Sequence, residues 1–180
     1  MRKIRVMLAV LVGCIALSIT AFADEGAEWN EAIENLPMHR ESVLLPEGIN
    51  KSTDYGSSAR GNYLGSAGLS LTNIGYNILG IYADTTCHVP VKRIRMSIFL
   101  DRWDENEQDW FQVDAYNFSY EHKEGGEDIT FVSEDFNVSG FPADNYYRLR
   151  SFHAVWPFTG GVEMQGPMTN GLKLTDGPSL

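Results

Sequence analysis

The chain has 180 residues, with 24 acidic against 14 basic side chains and a formal net charge of −10. This charge argues against binding to nucleic acids or to anionic bilayers, because both are polyanions that need basic patches. The length suits one domain with a short appendage.

Residues 1–23 have the features of a secretory signal peptide. Basic residues precede an apolar stretch over 6–21, and the small residues Ala21 and Ala23 come just before acidic residues. We expect cleavage after Ala23, a secreted or extracellular protein, and no stable membrane anchor, since an anchor needs roughly 20 apolar residues and positive flanking charge. The alternative is lipidation at Cys14, although the chain stays hydrophobic beyond that residue.

Cleavage would leave 11 basic against 24 acidic residues, a net charge of −13. Cys14 would leave with the signal peptide, so Cys87 would be the sole cysteine. An internal disulfide is then excluded, and the fold must depend on its apolar core.

Residues 24–37 read as a short acidic helix, because apolar residues recur at helical spacing before Pro37. From 38 to 60 the apolar residues show no regular spacing, and turn-forming residues such as Pro46, Gly48 and Gly56 are frequent. We expect a flexible linker over this range.

From residue 61 to 176 the apolar pattern has a period of two, which is typical of strands with one buried face. The clearest example is 91–103, where Ile94, Met96 and Ile98 alternate with polar or aromatic neighbours. We predict seven strands, at 63–71, 78–88, 91–103, 110–120, 129–138 with a break, 146–155, and 162–174 with a break at Gly166; residues 177–180 are a tail.

Seven strands with turns between them and no intervening helix predict an all-β, antiparallel sandwich of the immunoglobulin or fibronectin kind. The segment around Tyr147 resembles a tyrosine corner, in which a tyrosine at the entry to the sixth strand caps the preceding loop. Leu149 then fills the core position that is cysteine in antibody domains. A jelly roll would need an eighth strand, which the pattern does not predict.

Short motifs over residues 60–175 resemble a family of small secreted proteins from Gram-positive gut bacteria, a domain of unknown function. The motifs occur in order at 60–64, 86–88, 146–150 with His153, and 169–172. The resemblance implies a bacterial source and a compact β domain, and it supplies no catalytic residues.

Four residues are candidates for catalysis: Cys87, His88, His153 and Glu163. Cys87 could be a nucleophile with His88 or His153, but its phase with Ile81 and Ala83 favours a buried core thiol. His153 is in phase with Tyr147, which favours a core or rim histidine over a catalytic base. A hydrolase that uses His153 with Glu163 or an acidic loop is therefore the least favoured function.

The loop after the third predicted strand concentrates oxygen ligands, which suits calcium. The loop lacks the glycine and distal glutamate of an EF-hand, so a solvated turn is favoured and no cofactor is expected. The candidate calcium ligands are Asp101, Asp104, Asn106 and Asp109.

Trp103 and Trp110 flank this acidic loop, and Trp156 lies in another. Sugar rings stack on indole faces while carboxylates such as those of Asp104 and Glu105 bind hydroxyls, which predicts a glycan site. Cross-strand packing of the tryptophans is the alternative, and it is favoured.

The sequence therefore predicts a non-enzymatic, exported module that binds an extracellular glycan or protein through its loops. A structural protein of the cell envelope or extracellular matrix is the alternative.

Overall fold

The computed structural model describes residues 41–57 and 61–178, which form nine β-strands. The predicted signal peptide and the predicted helix at 24–37 lie outside the described residues. The strands are β1 Lys51–Ser57, β2 Leu64–Gly75, β3 Ile78–Val91, β4 Arg93–Asp104, β5 Asp109–Glu121, β6 Ile129–Ser139, β7 Tyr146–Trp156, β8 Glu163–Gln165 and β9 Leu172–Lys173.

The strands pair into two antiparallel sheets. The four-stranded sheet has the order β1-β2-β3-β6, and the five-stranded sheet has the order β5-β4-β7-β8 with β9 also pairing with β7. The predictions of an all-β domain and of a hairpin from β4 to β5 are thus confirmed.

The inward faces of the two sheets form one apolar core. Ile94, Met96 and Ile98 are fully buried, as their alternation predicts, and they pack with Leu71 and Ile81 of the four-stranded sheet. Each such side chain stabilises the fold by about 1.5–3 kcal/mol when it leaves water. Apolar burial therefore holds the sheets together in a domain whose one described cysteine is unpaired.

Cys87 lies in this core and is only 7% exposed, which confirms the prediction of a buried thiol. Burial, with a smaller contribution from the charge of Glu163, raises the pKa of Cys87 to about 11. Since the thiolate is the reactive form, this thiol is a poor nucleophile at neutral pH.

The segment that enters β7 has the geometry of the predicted tyrosine corner. The Tyr147 hydroxyl donates a hydrogen bond to the carbonyl oxygen of Pro142 at 2.8 Å, and the Tyr147 ring is buried. Leu149, two residues further, is fully buried. The hydrogen bond fixes the loop before β7 against the core.

The predicted linker is wrong for residues 51–57, which form β1 and pair with β2. The inward side chains of β1 are polar, so no apolar alternation marks it. Ser52 Oγ accepts a hydrogen bond from the Asn170 amide at 2.9 Å, and Asp54 Oδ2 accepts one from the Met168 amide at 3.0 Å. Hydrogen bonds thus replace apolar burial along this edge.

The predicted strand number is also wrong. Besides β1, the last predicted strand is two short strands, β8 and β9, which pair with different parts of β7. The break predicted near residue 134 does not occur, because β6 is continuous over Ile129–Ser139. An edge strand of three or two residues is too short to show a two-residue period.

Candidate functional site

The β4–β5 hairpin places two tryptophans side by side on the outward face of the five-stranded sheet. Trp103 and Trp110 are opposite each other in the register, and their rings meet edge to face with centroids 5.3 Å apart. The Asp104 carboxylate closes the turn by accepting hydrogen bonds from the amides of Asn106 at 2.9 Å and Glu107 at 3.3 Å. The pair thus has the predicted cross-strand packing.

Trp110 is held on several sides. The guanidinium carbon of Arg148 lies 4.5 Å from the centroid of the Trp110 ring. A Cβ at Gly171 would lie 2.6 Å from Trp110 Cη2, so the ring edge rests directly on the Gly171 backbone. That backbone is fixed by hydrogen bonds of 2.8 Å with Val43 and Leu45. Trp103 is consequently the indole with more freedom to accept a ligand.

A buried carboxylate organises two arginines beside the tryptophans. Asp101 is 1% exposed and accepts hydrogen bonds from Arg150 Nε at 2.6 Å, Arg150 Nη2 at 2.9 Å and Arg148 Nε at 2.9 Å. Burial lowers the pKa of Arg148, and the hydrogen bond and charge of Asp101 oppose that effect. Both guanidiniums thus make charge-assisted hydrogen bonds to one buried carboxylate.

These side chains line an open cleft of about 790 Å³, which we call the tryptophan cleft. Its volume lies in the range of about 300–1,000 Å³ that is usual for small-molecule sites. The lining combines indole surface, guanidinium donors and carboxylate acceptors; its residues are Glu41, Ser42, Asp101, Trp103, Gln108, Asp109, Trp110, Arg148, Arg150 and Met168.

The structure brings together only part of the predicted binding set. Asp104 and Glu105 line a neighbouring recess that shares Trp103 with the cleft. Trp156 lies at the other end of β7, where it is opposite Arg93 in the register. A strand rise of about 3.3 Å per residue places it roughly 20–26 Å along β7 from the cleft residues Arg150 and Arg148.

The sequence did not predict Arg148 and Arg150 as site residues. Their alternation with Tyr147 and Leu149 places them on the outward face of β7, and this pattern could have marked them as candidate surface residues. Their meeting with Asp101 depends on the register of β4 against β7, which pairs Asp101 with Arg148.

Two of the candidate calcium ligands, Asp101 and Asp104, have other partners. Asp101 binds the two arginines and Asp104 closes the turn, so they are engaged on different sides of the hairpin. Within residues 41–57 and 61–178, no group of three or more histidine, cysteine or acidic side chains is placed to hold a metal ion.

His153 and Glu163, the pair considered for hydrolysis, each have their own hydrogen-bond partners. His153 is fully buried, and its two ring nitrogens lie 2.7 Å from Thr85 Oγ1 and 2.8 Å from Ser151 Oγ. Burial lowers the pKa of His153 to about 3, so the imidazole is neutral at physiological pH. This is the satisfied core histidine that the phase of β7 favours.

Glu163, the other member of that pair, holds the start of β2. Its carboxylate accepts hydrogen bonds from the amides of Asn62, Tyr63 and Leu64 at 2.8–3.0 Å. Burial tends to raise the pKa of Glu163, but these amides and the charge of His88 outweigh it and the pKa is lowered. Glu163 thus connects β8 to the four-stranded sheet, and it does not line the tryptophan cleft.

Comparison with protein-family models and with curated proteins finds no match to this chain. The resemblance to the secreted gut-bacterial family stays a prediction. No helix in the described part of the chain is long and apolar enough to cross a membrane.

Proposed function

We propose that this chain is an exported, non-enzymatic β-sandwich module of the immunoglobulin or fibronectin class that binds an extracellular glycan in the tryptophan cleft. The observation that carries the proposal is the juxtaposition of Trp103 with two guanidiniums fixed by the buried Asp101.

Two features of the fold support the sandwich class. β3 pairs with β6 in the four-stranded sheet, and β4 pairs with β7 in the five-stranded sheet. The consecutive strands β3 and β4 therefore lie in different sheets, and so do β6 and β7. Strands B, C, E and F of immunoglobulin domains are related in the same way. In that correspondence β7 is strand F, and Tyr147 occupies the tyrosine-corner position at its start.

The chemistry of the cleft suits a sugar ring. One face of a pyranose is apolar and stacks on an indole, while its hydroxyls both donate and accept hydrogen bonds. Arg148 and Arg150 supply donors, and Asp109 supplies an acceptor, on the same wall as Trp103. Because Asp101 already orients the guanidiniums, little side-chain freedom is lost when a ligand binds.

The test uses the mature chain secreted with its own signal peptide. A glycan array identifies a ligand, and titration followed by tryptophan fluorescence gives the dissociation constant. We expect Trp103→Ala to weaken binding about tenfold or more, which corresponds to about 1.4 kcal/mol of lost stacking.

Trp156→Ala is the matched control, because Trp156 is half-buried like Trp103 but lies outside the cleft. We expect its affinity to equal that of the parent chain. Silence of the array, or equal weakening by both substitutions, would contradict a glycan site in the cleft.

Sequencing of the secreted product tests export, with Asp24 expected as the first residue.

A further inference from the structure

A second cluster of aromatic and acidic side chains lies on the outward face of the four-stranded sheet, away from the tryptophan cleft. Tyr55 of β1, Gly68 of β2 and Asp84 of β3 are direct neighbours in the register. Tyr82 lies on the same face of β3, two residues before Asp84. We call Tyr55, Tyr82 and Asp84 the tyrosine patch.

Asp84 is only 9% exposed although its side chain is on an outward face. The absence of a side chain at Gly68 makes room for it: a Cβ there would lie 2.2 Å from Asp84 Oδ1 and 3.0 Å from Tyr55 Cε1. The carboxylate of Asp84 and the ring edge of Tyr55 therefore meet above the Gly68 backbone.

The two tyrosines flank this carboxylate and are open to solvent. Tyr55 is 66% exposed and Tyr82 is 36% exposed. The Tyr82 side chain is hydrogen bonded to Asp84, and Asp135 of β6 lies opposite Tyr82 in the register. Burial, aided by the charges of Asp84, Tyr55 and Asp135, raises the pKa of Tyr82, so its ring is neutral at physiological pH.

The patch carries negative charge, and the described part of the chain places no cation against it. Among the residues that the structure describes, Asp84 has no ion-pair partner. Burial raises the pKa of Asp84, and the Tyr82 hydrogen bond opposes that effect. Lys51 is on the same face but four register positions away from Tyr55 along β1. A buried carboxylate without a cation is costly unless a ligand supplies one.

We propose that the tyrosine patch binds an organic ammonium group, with a quaternary ammonium of the choline type as the ligand class. Aromatic faces attract such cations through their quadrupoles, and a nearby carboxylate adds Coulomb attraction. A hydrated metal ion would instead require several oxygen ligands at short range, whereas the patch has a single buried carboxylate.

The experiment titrates the mature chain with choline and, separately, with dimethylbutanol, in which carbon replaces the choline nitrogen. Chemical shifts of the backbone amides of β1 and β3 report on binding. We expect choline to bind at least about tenfold more tightly than dimethylbutanol, because a neutral ligand loses both the quadrupole and the Coulomb attraction.

Two substitutions locate the site. Asp84→Asn preserves the shape of the side chain and removes its charge, and we expect it to weaken choline binding about tenfold. Tyr55→Ala should weaken it severalfold, whereas Tyr76→Ala, at a tyrosine of similar exposure in the β2–β3 turn, should have no effect. Unchanged amide spectra away from the site would show that each variant is folded.

Equal affinity for the two ligands, or an Asp84→Asn variant that binds choline normally, would overturn the proposal. So would the absence of choline binding at tens of millimolar. Trp103→Ala should leave choline binding unchanged, so failure of this site and failure of the glycan site are separate results.

Discussion

Two arginine–tryptophan pairs lie at opposite ends of the outward face of the five-stranded sheet. The guanidinium of Arg148 is 4.5 Å from the Trp110 centroid, and that of Arg93 is 4.1 Å from the Trp156 centroid. The carboxylates that accompany them differ. Asp101 is 1% exposed and lies 2.9 Å from Arg148, whereas Glu121 is 66% exposed and lies 3.8 Å from Arg93.

This difference shows why a cleft lined by fixed donors exists at one end only. An exposed ion pair stabilises a protein by about 0–1 kcal/mol and leaves its side chains mobile. A buried carboxylate must be satisfied by its partners, so it fixes their positions. The same two residue types therefore form a preorganised wall beside Trp110 and a solvated surface pair beside Trp156.

Removing the buried charge should give the largest difference in stability between the two ends of the sheet. Asp101→Ala leaves two arginines without their acceptor, and we expect it to lower the free energy of unfolding by about 3–5 kcal/mol. The control Glu121→Ala should change the free energy of unfolding by about 0.5 kcal/mol or less. Urea denaturation of both variants measures the two values, and equal effects would show that the two ends are energetically alike.

The inner face of β7 offers a second, pH-dependent comparison, because His153 is buried without a charge. Its folded pKa, about 3, lies below its unfolded value of about 6.5, so only the unfolded state binds the proton between these values. The stability that comes from keeping His153 neutral is thus fully present above pH 6.5 and is lost as the pH falls towards 3. We expect a loss of about 1.4 kcal/mol per pH unit below 6.5, or about 2 kcal/mol by pH 5.

His153→Gln separates this effect from the titration of carboxylates. The variant keeps a hydrogen-bonding side chain near Thr85 and Ser151, and we expect it to lose the slope between pH 6.5 and 5. Thermal unfolding of both proteins at several pH values provides the measurement. A slope that is the same in both proteins would assign the pH dependence to other groups.

The smallest expected effect concerns the support beneath Trp110. Gly171→Ala places a methyl group 2.6 Å from Trp110 Cη2, which should displace the indole at a cost of about 1 kcal/mol. Gly177→Ala is the matched control, since nothing lies within 4 Å of its Cβ position. We expect a change in near-ultraviolet circular dichroism only for Gly171→Ala, and no change there would show that Trp110 is not held by that backbone.

The sequence predicted the long strands better than the short ones. The alternation of Ile94, Met96 and Ile98 was enough to define β4 and its buried face, because each of these side chains is removed from water. β1 escaped prediction because its inward residues, Ser52 and Asp54, form hydrogen bonds to backbone amides. From the sequence alone, a polar edge strand cannot be told from a loop that is rich in turn-forming residues.

The candidate site was predicted only in part for a related reason. The spacing of Trp103 and Trp110 about a turn predicted their cross-strand contact, which the hairpin confirms. From the sequence, Asp101 was assigned with its neighbours to a solvated acidic turn, with calcium binding as the less favoured alternative. Its partners in the structure are Arg148 and Arg150, which are 47 and 49 residues away in the chain.

The alternation of side chains was enough to predict that the long segments are strands with one buried face, and that Cys87 and His153 point into the core. Alternation is sufficient for this, because neighbouring side chains on a strand must point to opposite faces. Which strands are neighbours depends on the tertiary fold. That arrangement placed two arginines over one buried aspartate and set Tyr55 beside Asp84 above a glycine, since side chains from distant segments meet only when the register of the sheets is fixed.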